Sequence, residues 1–205
     1  MKIKILEQSE TALKFVLEDA DTTLANALRR IMMSEVPTMA IEFVDFNENS
    51  SALYDEIIAQ RLGAIPLTFD EKIYKLPEDC ECEGKGCAQC QVFLVLDKKG
   101  PCMVYSGDLK TTDESVKPTS DKFIIAELLD NQAIKLEAIA KLGKGEKHAK
   151  WQAAVVGYKY PQRDETKFTF SVESASGLKP EHIVLKAAEI LEAKAEEFKK
   201  QLKDL

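Results

Sequence analysis

Histidine is nearly missing from this sequence: its 205 residues hold two, His148 and His182, beside a single tryptophan, Trp151. Imidazole is the usual proton carrier near neutral pH, so catalytic options are few. No Ser/His/Asp or Cys/His grouping is visible either, and no catalytic residue is assigned. Also lacking is any run of the roughly 20 apolar residues that a membrane span needs. Residues 1–7 are too short and too charged for a signal peptide, so neither a membrane nor secretion is expected. Excess positive charge is lacking as well, with 28 Lys and Arg against 35 Asp and Glu and a formal charge of −7. Such a chain is a poor candidate for binding nucleic acid through its overall field, although a local basic patch could still touch phosphate. No internal repeat or low-complexity tract is present.

What is there is ordinary in amount and uneven in placement. A hydrophobic share of 45% and a charged share of 31% suit a soluble globular protein. The length allows one large domain or two small ones. Short apolar or alternating runs at 2–6 and 13–17 read as a hairpin. A helix follows over 21–36, with Asp21, Thr22 or Thr23 able to cap its start and Val36 before Pro37 setting a stop. Residues 38–46 read as a strand. A second helix is expected from Ser50 or Ser51 to Gly63, with Leu53, Ile57, Ile58 and Leu62 on its buried side. Further strands are expected at 91–96, 103–106, 123–126, 133–140 and 168–173, with 108–122 a polar surface loop. Residues 180–205 form an amphipathic helix with Ile183, Val184, Ala187, Leu191, Ala195, Phe198 and Leu202 on one side. At 1.5 Å per residue it is roughly 35 Å long, more than a small domain needs to cover its own sheet.

The opening helix has two apolar sides. Leu24, Ala27, Leu28 and Ile31 recur at three- and four-residue spacing. At about 100° per residue, Met33 falls between Arg29 and Arg30 on the charged face. Periodicity alone leaves two readings open: an ordinary core helix with solvated arginines, or a helix at a protein interface, where Arg and Met are favoured.

Four of the five cysteines crowd into one loop, Cys80, Cys82, Cys87 and Cys90. Four thiolates on a short loop meet the needs of tetrahedral zinc, and Gly84 and Gly86 let the backbone bend so that both pairs face one ion. Lys85 is placed to offset part of the site's charge. Structural zinc, an iron–sulfur cluster and unligated cysteines all remain open, although clustering suits a metal site in a reducing cytosol better than a secreted disulfide framework. A cytoplasmic protein is therefore expected. Cys102 stands apart and reads as a partly buried small residue. The stretch 141–152 gathers four lysines, His148 and Trp151 on an otherwise acidic chain. It is either a solvated basic loop or a docking surface with Trp151 as an aromatic anchor.

The motifs at 24–31, 36–38, 49–67 and 141–151, in this order, resemble the D subunits of archaeal RNA polymerases. Their counterparts are the amino-terminal domain of the bacterial alpha subunit and the third subunit of eukaryotic RNA polymerase II. The resemblance implies an α+β fold: an alpha-subunit-like dimerisation domain built from both chain ends, about 1–45 and 162–205, and an inserted β-rich domain over 46–161 that carries the zinc loop 80–90. It implies a non-catalytic assembly subunit that pairs with the small subunit L through Leu24, Leu28, Arg29, Arg30, Ile31, Met33, Leu191, Phe198 and Leu202. The small subunits N and P then join, and the second-largest catalytic subunit docks, with Lys144, Lys147, His148, Lys150 and Trp151 as a candidate surface. DNA would be met only through the complex. Some archaeal D subunits carry a ferredoxin-like insertion before the last strand; here residues 160–166 read as a plain connection. The cysteine loop resembles the zinc loop of the eukaryotic counterpart in position, with one more residue between its pairs. The competing class is a zinc-dependent nucleic-acid-binding regulator.

Overall fold

The protein is described by a computed structural model over residues 1–161 and 166–203. The connection expected at 160–166 falls partly on residues 162–165, outside the described residues. The backbone divides into two compact units, one of Met1–Pro37 with Lys144–Leu205 and one of Thr38–Gly143.

The first unit is one antiparallel sheet with two helices. Strands β1 (Lys2–Gln8) and β2 (Ala12–Glu18) form the expected hairpin, and helix α1 (Thr22–Ser34) follows. Asp21 caps α1, its carboxylate accepting the Leu24 N–H at 2.7 Å. Helix α3 (Pro180–Gln201) closes the chain, and a strand not expected from sequence, Ala154–Lys159, pairs with Lys167–Ser174. Counting in chain order these two strands are β9 and β10, and the sheet runs β1-β2-β10-β9. Directly opposed residues share a face. Leu13, Phe15 and Leu17 of β2 stand opposite Val172, Phe170 and Phe168. Phe15 stacks on Phe170 at 5.0 Å. This face is the core, and α3 lies on β2 and β10 while α1 lies on β9 and α3. Ile3 and Ile5 oppose Leu17 and Phe15 and so belong to the same face, yet at the sheet edge they are 62% and 56% exposed.

The second unit carries a sheet of β3 (Thr38–Asn49), β4 (Gln91–Lys99), β6 (Lys110–Thr111) and β8 (Ala133–Gly143), in the order β3-β8-β4-β6. A two-stranded ribbon of β5 (Cys102–Tyr105) and β7 (Ile124–Leu128) and helix α2 (Asp55–Gly63) complete it. Its core gathers Val92, Leu94 and Leu96 with Ile134, Leu136, Ala138 and Ala140, capped by Ile58 and Leu62 of α2. Two local expectations shift. Helix α2 starts at Asp55 without a side-chain cap, because Asn49 captures the preceding turn: its Oδ1 accepts from Ser51 N–H at 3.1 Å and its amide donates to Leu53 O at 2.9 Å. Leu53 is thus outside the helix. The stretch 108–122 is no free loop: β6 pairs with β4, Val116 is buried, and Thr68 Oγ1 bonds Ser115 O at 3.0 Å.

Candidate metal centre and pairing surface

The cysteine loop leaves a 3-10 turn at Pro77–Asp79 and ends at Cys90, immediately before β4. Two tight turns shape it, with Glu83 N–H donating to Cys80 O at 2.9 Å and Cys90 N–H to Cys87 O at 3.0 Å. Gly84 and Gly86 hold φ of 76° and 97°, the left-handed region that a residue without Cβ enters freely. The four Sγ atoms gather within 4.8 Å of one another. Cys80–Cys87, Cys82–Cys90 and Cys87–Cys90 are separated by 3.5, 3.4 and 3.8 Å. A disulfide would need about 2.05 Å, whereas a tetrahedron with metal–sulfur bonds of about 2.3 Å places its sulfurs about 3.8 Å apart. All four are free thiols in a geometry that fits a tetrahedral metal. Their acidities diverge: hydrogen bonds from Cys80 and the Gly86 N–H bring Cys82 down to about 6, while burial pushes Cys90 up to about 12. A soft dication would take the place of the protons that the other thiols hold. Lys85 does not face the sulfurs; its Nζ pairs with Glu83 at 3.5 Å on the surface. Cys102 is outside the cluster, its thiol against Lys99 O at 3.4 Å.

The structure rotates the buried stripe of α1. Ala25, Ile31 and Met32 are buried, whereas Leu24, Ala27 and Leu28 are half-buried and Arg30 is exposed. Arg29 lies over its own helix, bonding Asn26 Oδ1 at 3.1 Å and approaching Met33 Sδ at 3.5 Å. In α3 only the first half of the apolar stripe is covered: Ile183 and Ala187 are buried and Leu191 is half-buried. Beyond it Phe198 and Leu202 are 64% and 53% exposed. Lys194 bonds Glu35 at 2.5 Å, tying α3 to the end of α1.

The basic stretch is split. Lys141 lies in β8, and residues 144–148 form a loop held to the end of α1 by Glu146 N–H on Ser34 O at 2.9 Å. A Cβ on Gly145 would stand 2.5 Å from Met33 O, so only glycine permits this approach. His148 Nδ1 accepts from Lys150 N–H at 3.1 Å. Trp151 is buried under the Lys150 ammonium, 4.4 Å from the ring centre, so it supports the loop from the core instead of projecting as an anchor.

These features can be set beside known proteins. The family model described as the RNA polymerase Rpb3/Rpb11 dimerisation domain matches residues 14–195. The chain belongs to this family. Among relatives, the DNA-directed RNA polymerase subunit Rpo3 of Pyrococcus horikoshii is 46% identical over 161 residues, 78% of this chain and 60% of the relative. The subunit of the same name from Methanosphaera stadtmanae is 43% identical over 166 residues, 78% of this chain and 61% of the relative. That of Thermococcus kodakarensis is 45% identical over 160 residues, 78% of this chain and 60% of the relative. The chain thus spans about three fifths of the length of these curated relatives. Among the described residues no helix is long and apolar enough to cross a membrane. The family model covers the whole second unit and most of both segments of the first, leaving out residues 1–13 and 196–205.

Proposed function

We propose that this chain is the D subunit of an archaeal-type RNA polymerase, a non-catalytic assembly subunit that pairs with subunit L. The observation that carries this reading is the dimerisation-family match over residues 14–195. The surface supports it. The distal half of α3, the half-buried Leu24 and Leu28 of α1, and the uncovered Ile3 and Ile5 leave apolar groups of the first unit in water. Exposed apolar surface of this kind marks an interaction site. Leu24, Leu28, Arg29, Arg30, Met33, Leu191, Phe198 and Leu202 meet L on this reading. Ile31 acts from within the chain's own core. The pair then receives the small subunits N and P and the second-largest catalytic subunit, with Lys144, Lys147, His148 and Lys150 at the docking loop. Nucleotidyl transfer belongs to the large subunits.

The four cysteines hold one structural zinc ion, a role supported by their tetrahedral spacing and by the lack of an open coordination position. Zinc-dependent nucleic-acid binding is not favoured. The unit that carries the cysteines holds 19 Asp and Glu against 11 Lys and Arg, a field that repels phosphate. Co-expression with subunit L tests the assignment: a stable one-to-one heterodimer is expected, and a chain that stays monomeric beside L overturns it.

A further inference from the structure

The sheet of the Thr38–Gly143 unit has a second face, opposite its core. Residues pointing away from the core on an antiparallel sheet in water are expected to be polar. At the ends of this face they are: Asp97 opposes Lys135, with Nζ 3.7 Å from the carboxylate. In the middle they are not. Phe43 of β3, Ile139 of β8 and Phe93 of β4 stand directly opposite one another and form an apolar row across three strands. Phe43 is 53% and Phe93 37% exposed. The next row sets Asp45 directly against Glu137, two carboxylates with no ion pair or hydrogen bond among the described residues. Like charges opposed across strands are destabilising. Cross-strand packing accounts for Ile139 between two rings, but not for an unrelieved acidic pair beside them. Past Phe93 the row opens into a cleft of about 790 Å³, lined by Ile73, Ala88, Gln91, Thr112 and Glu114.

We propose that this outer sheet face is a docking surface for a basic segment of another protein, with an apolar side chain anchored on the Phe43–Ile139–Phe93 row and a Lys or Arg between Asp45 and Glu137. Charge complementarity selects this occupant. The unit holds 19 acidic against 11 basic residues, a net −8, while the whole chain is at −7. Nucleic acid and anionic lipid are repelled by such a field. A second copy docking by this face would set the same carboxylate row near itself, since a two-fold interface brings identical patches together. Phe43 already accepts the Lys141 ammonium, 5.1 Å from its centre, which shows that the ring face can take a cation. The partner is placed within the polymerase assembly, and to that extent the inference rests on the function proposed above.

The test uses the full chain in its own cells, with the photoreactive benzoylphenylalanine replacing Phe43 or, as a second probe, Phe93. The expected adduct is with one segment of another protein that has Lys or Arg within a few residues of the captured site. The double variant D45K/E137K is expected to lower that adduct at least about tenfold, the loss of a close charge pair, while pairing with L is unchanged. An acidic residue in place of the partner's cation restores the adduct. Absence of an adduct from both probes overturns the proposal. So does an adduct with a second copy, with nucleic acid or with an acidic segment, or one insensitive to the double variant. Loss of pairing with L in the unaltered chain would instead overturn the polymerase assignment, and the adduct would still report whether the face is occupied.

Discussion

Replacing Phe198 and Leu202 by alanine should separate pairing from folding. Both side chains lie beyond the covered half of α3, 64% and 53% exposed, and neither belongs to the buried core. Complete burial of a Phe or Leu side chain is worth about 1.5–3 kcal/mol, and somewhat more than half of each remains to be gained at an interface. After the cost of ordering two side chains, at least about 0.5 kcal/mol each, the pair contributes about 1–2 kcal/mol. Removing both should weaken binding to subunit L roughly 5- to 30-fold, at about 1.4 kcal/mol per tenfold. The stability of the isolated chain should change by less than about 0.5 kcal/mol, as for other exposed positions. Ile183→Ala is the contrast. That side chain is fully buried, so its truncation should cost about 2–5 kcal/mol of folding stability. Titration calorimetry with L and urea unfolding of the lone chain give both quantities. If F198A/L202A bound L with unchanged affinity, the distal half of α3 would have no part in pairing.

Gly145→Ala should destabilise the first unit by about 1–3 kcal/mol, because its Cβ would meet the backbone oxygen of Met33 at 2.5 Å. A thermal midpoint lower by roughly 3–10 °C is expected, and an unchanged one would refute the close approach. Tyr74→Phe removes the phenol that donates to Asp113 at 2.5 Å. That bond and the Ser115 N–H hold the Asp113 carboxyl below its usual range. A depressed carboxyl stabilises above its unfolded value and loses that contribution as pH falls through its folded value. The variant should therefore be about 1 kcal/mol less stable at pH 7 and approach the parent below about pH 4. A difference that stayed constant with pH would contradict this. Protein purified without chelator should carry one zinc per chain, lost in Cys82→Ser or Cys87→Ser with pairing to L retained. Iron, or no metal, by elemental analysis would overturn the zinc assignment.

Much of the fold was legible because its signals are local. The Asp21 cap, the alternation in β4 and the four cysteines each declare themselves within a few residues. The two glycines at φ of 76° and 97° stand where the loop must reverse. What was not legible depends on long-range pairing. Strand β9 follows a basic loop and is interrupted by Gly157, so only its ladder to β10 reveals it. The stretch 108–122 looks like surface by composition, yet Leu67, bridged to Pro118, and buried Val116 draw it onto the core. In α1 periodicity identified an apolar stripe but centred it about one residue away. Ala25 contributes little to any hydrophobic pattern, but being small and fully buried it lets the helix lie close to α3 and β9.

That rotation alters how α1 serves the site. With Ala25, Ile31 and Met32 turned inward, Leu24 and Leu28 flank the contact and remain half in water. Two large apolar groups of the motif are thus left over after Ile31 and Met32 have entered the chain's own core. The same holds for α3, where Ile183 and Ala187 are buried while Phe198 is not. A monomer selected only for its own stability would place its largest apolar groups inside, where each contributes most. Here Ile31, Met32 and Ile183 go inward with the small Ala25 and Ala187, while several other large apolar groups are held outward along two helices joined by the Lys194–Glu35 bond. This division suits a chain whose apolar burial is completed by a partner. It also explains why Leu28→Asp should abolish pairing with little effect on folding, whereas Ile31→Asp should disrupt both by burying an unpaired charge.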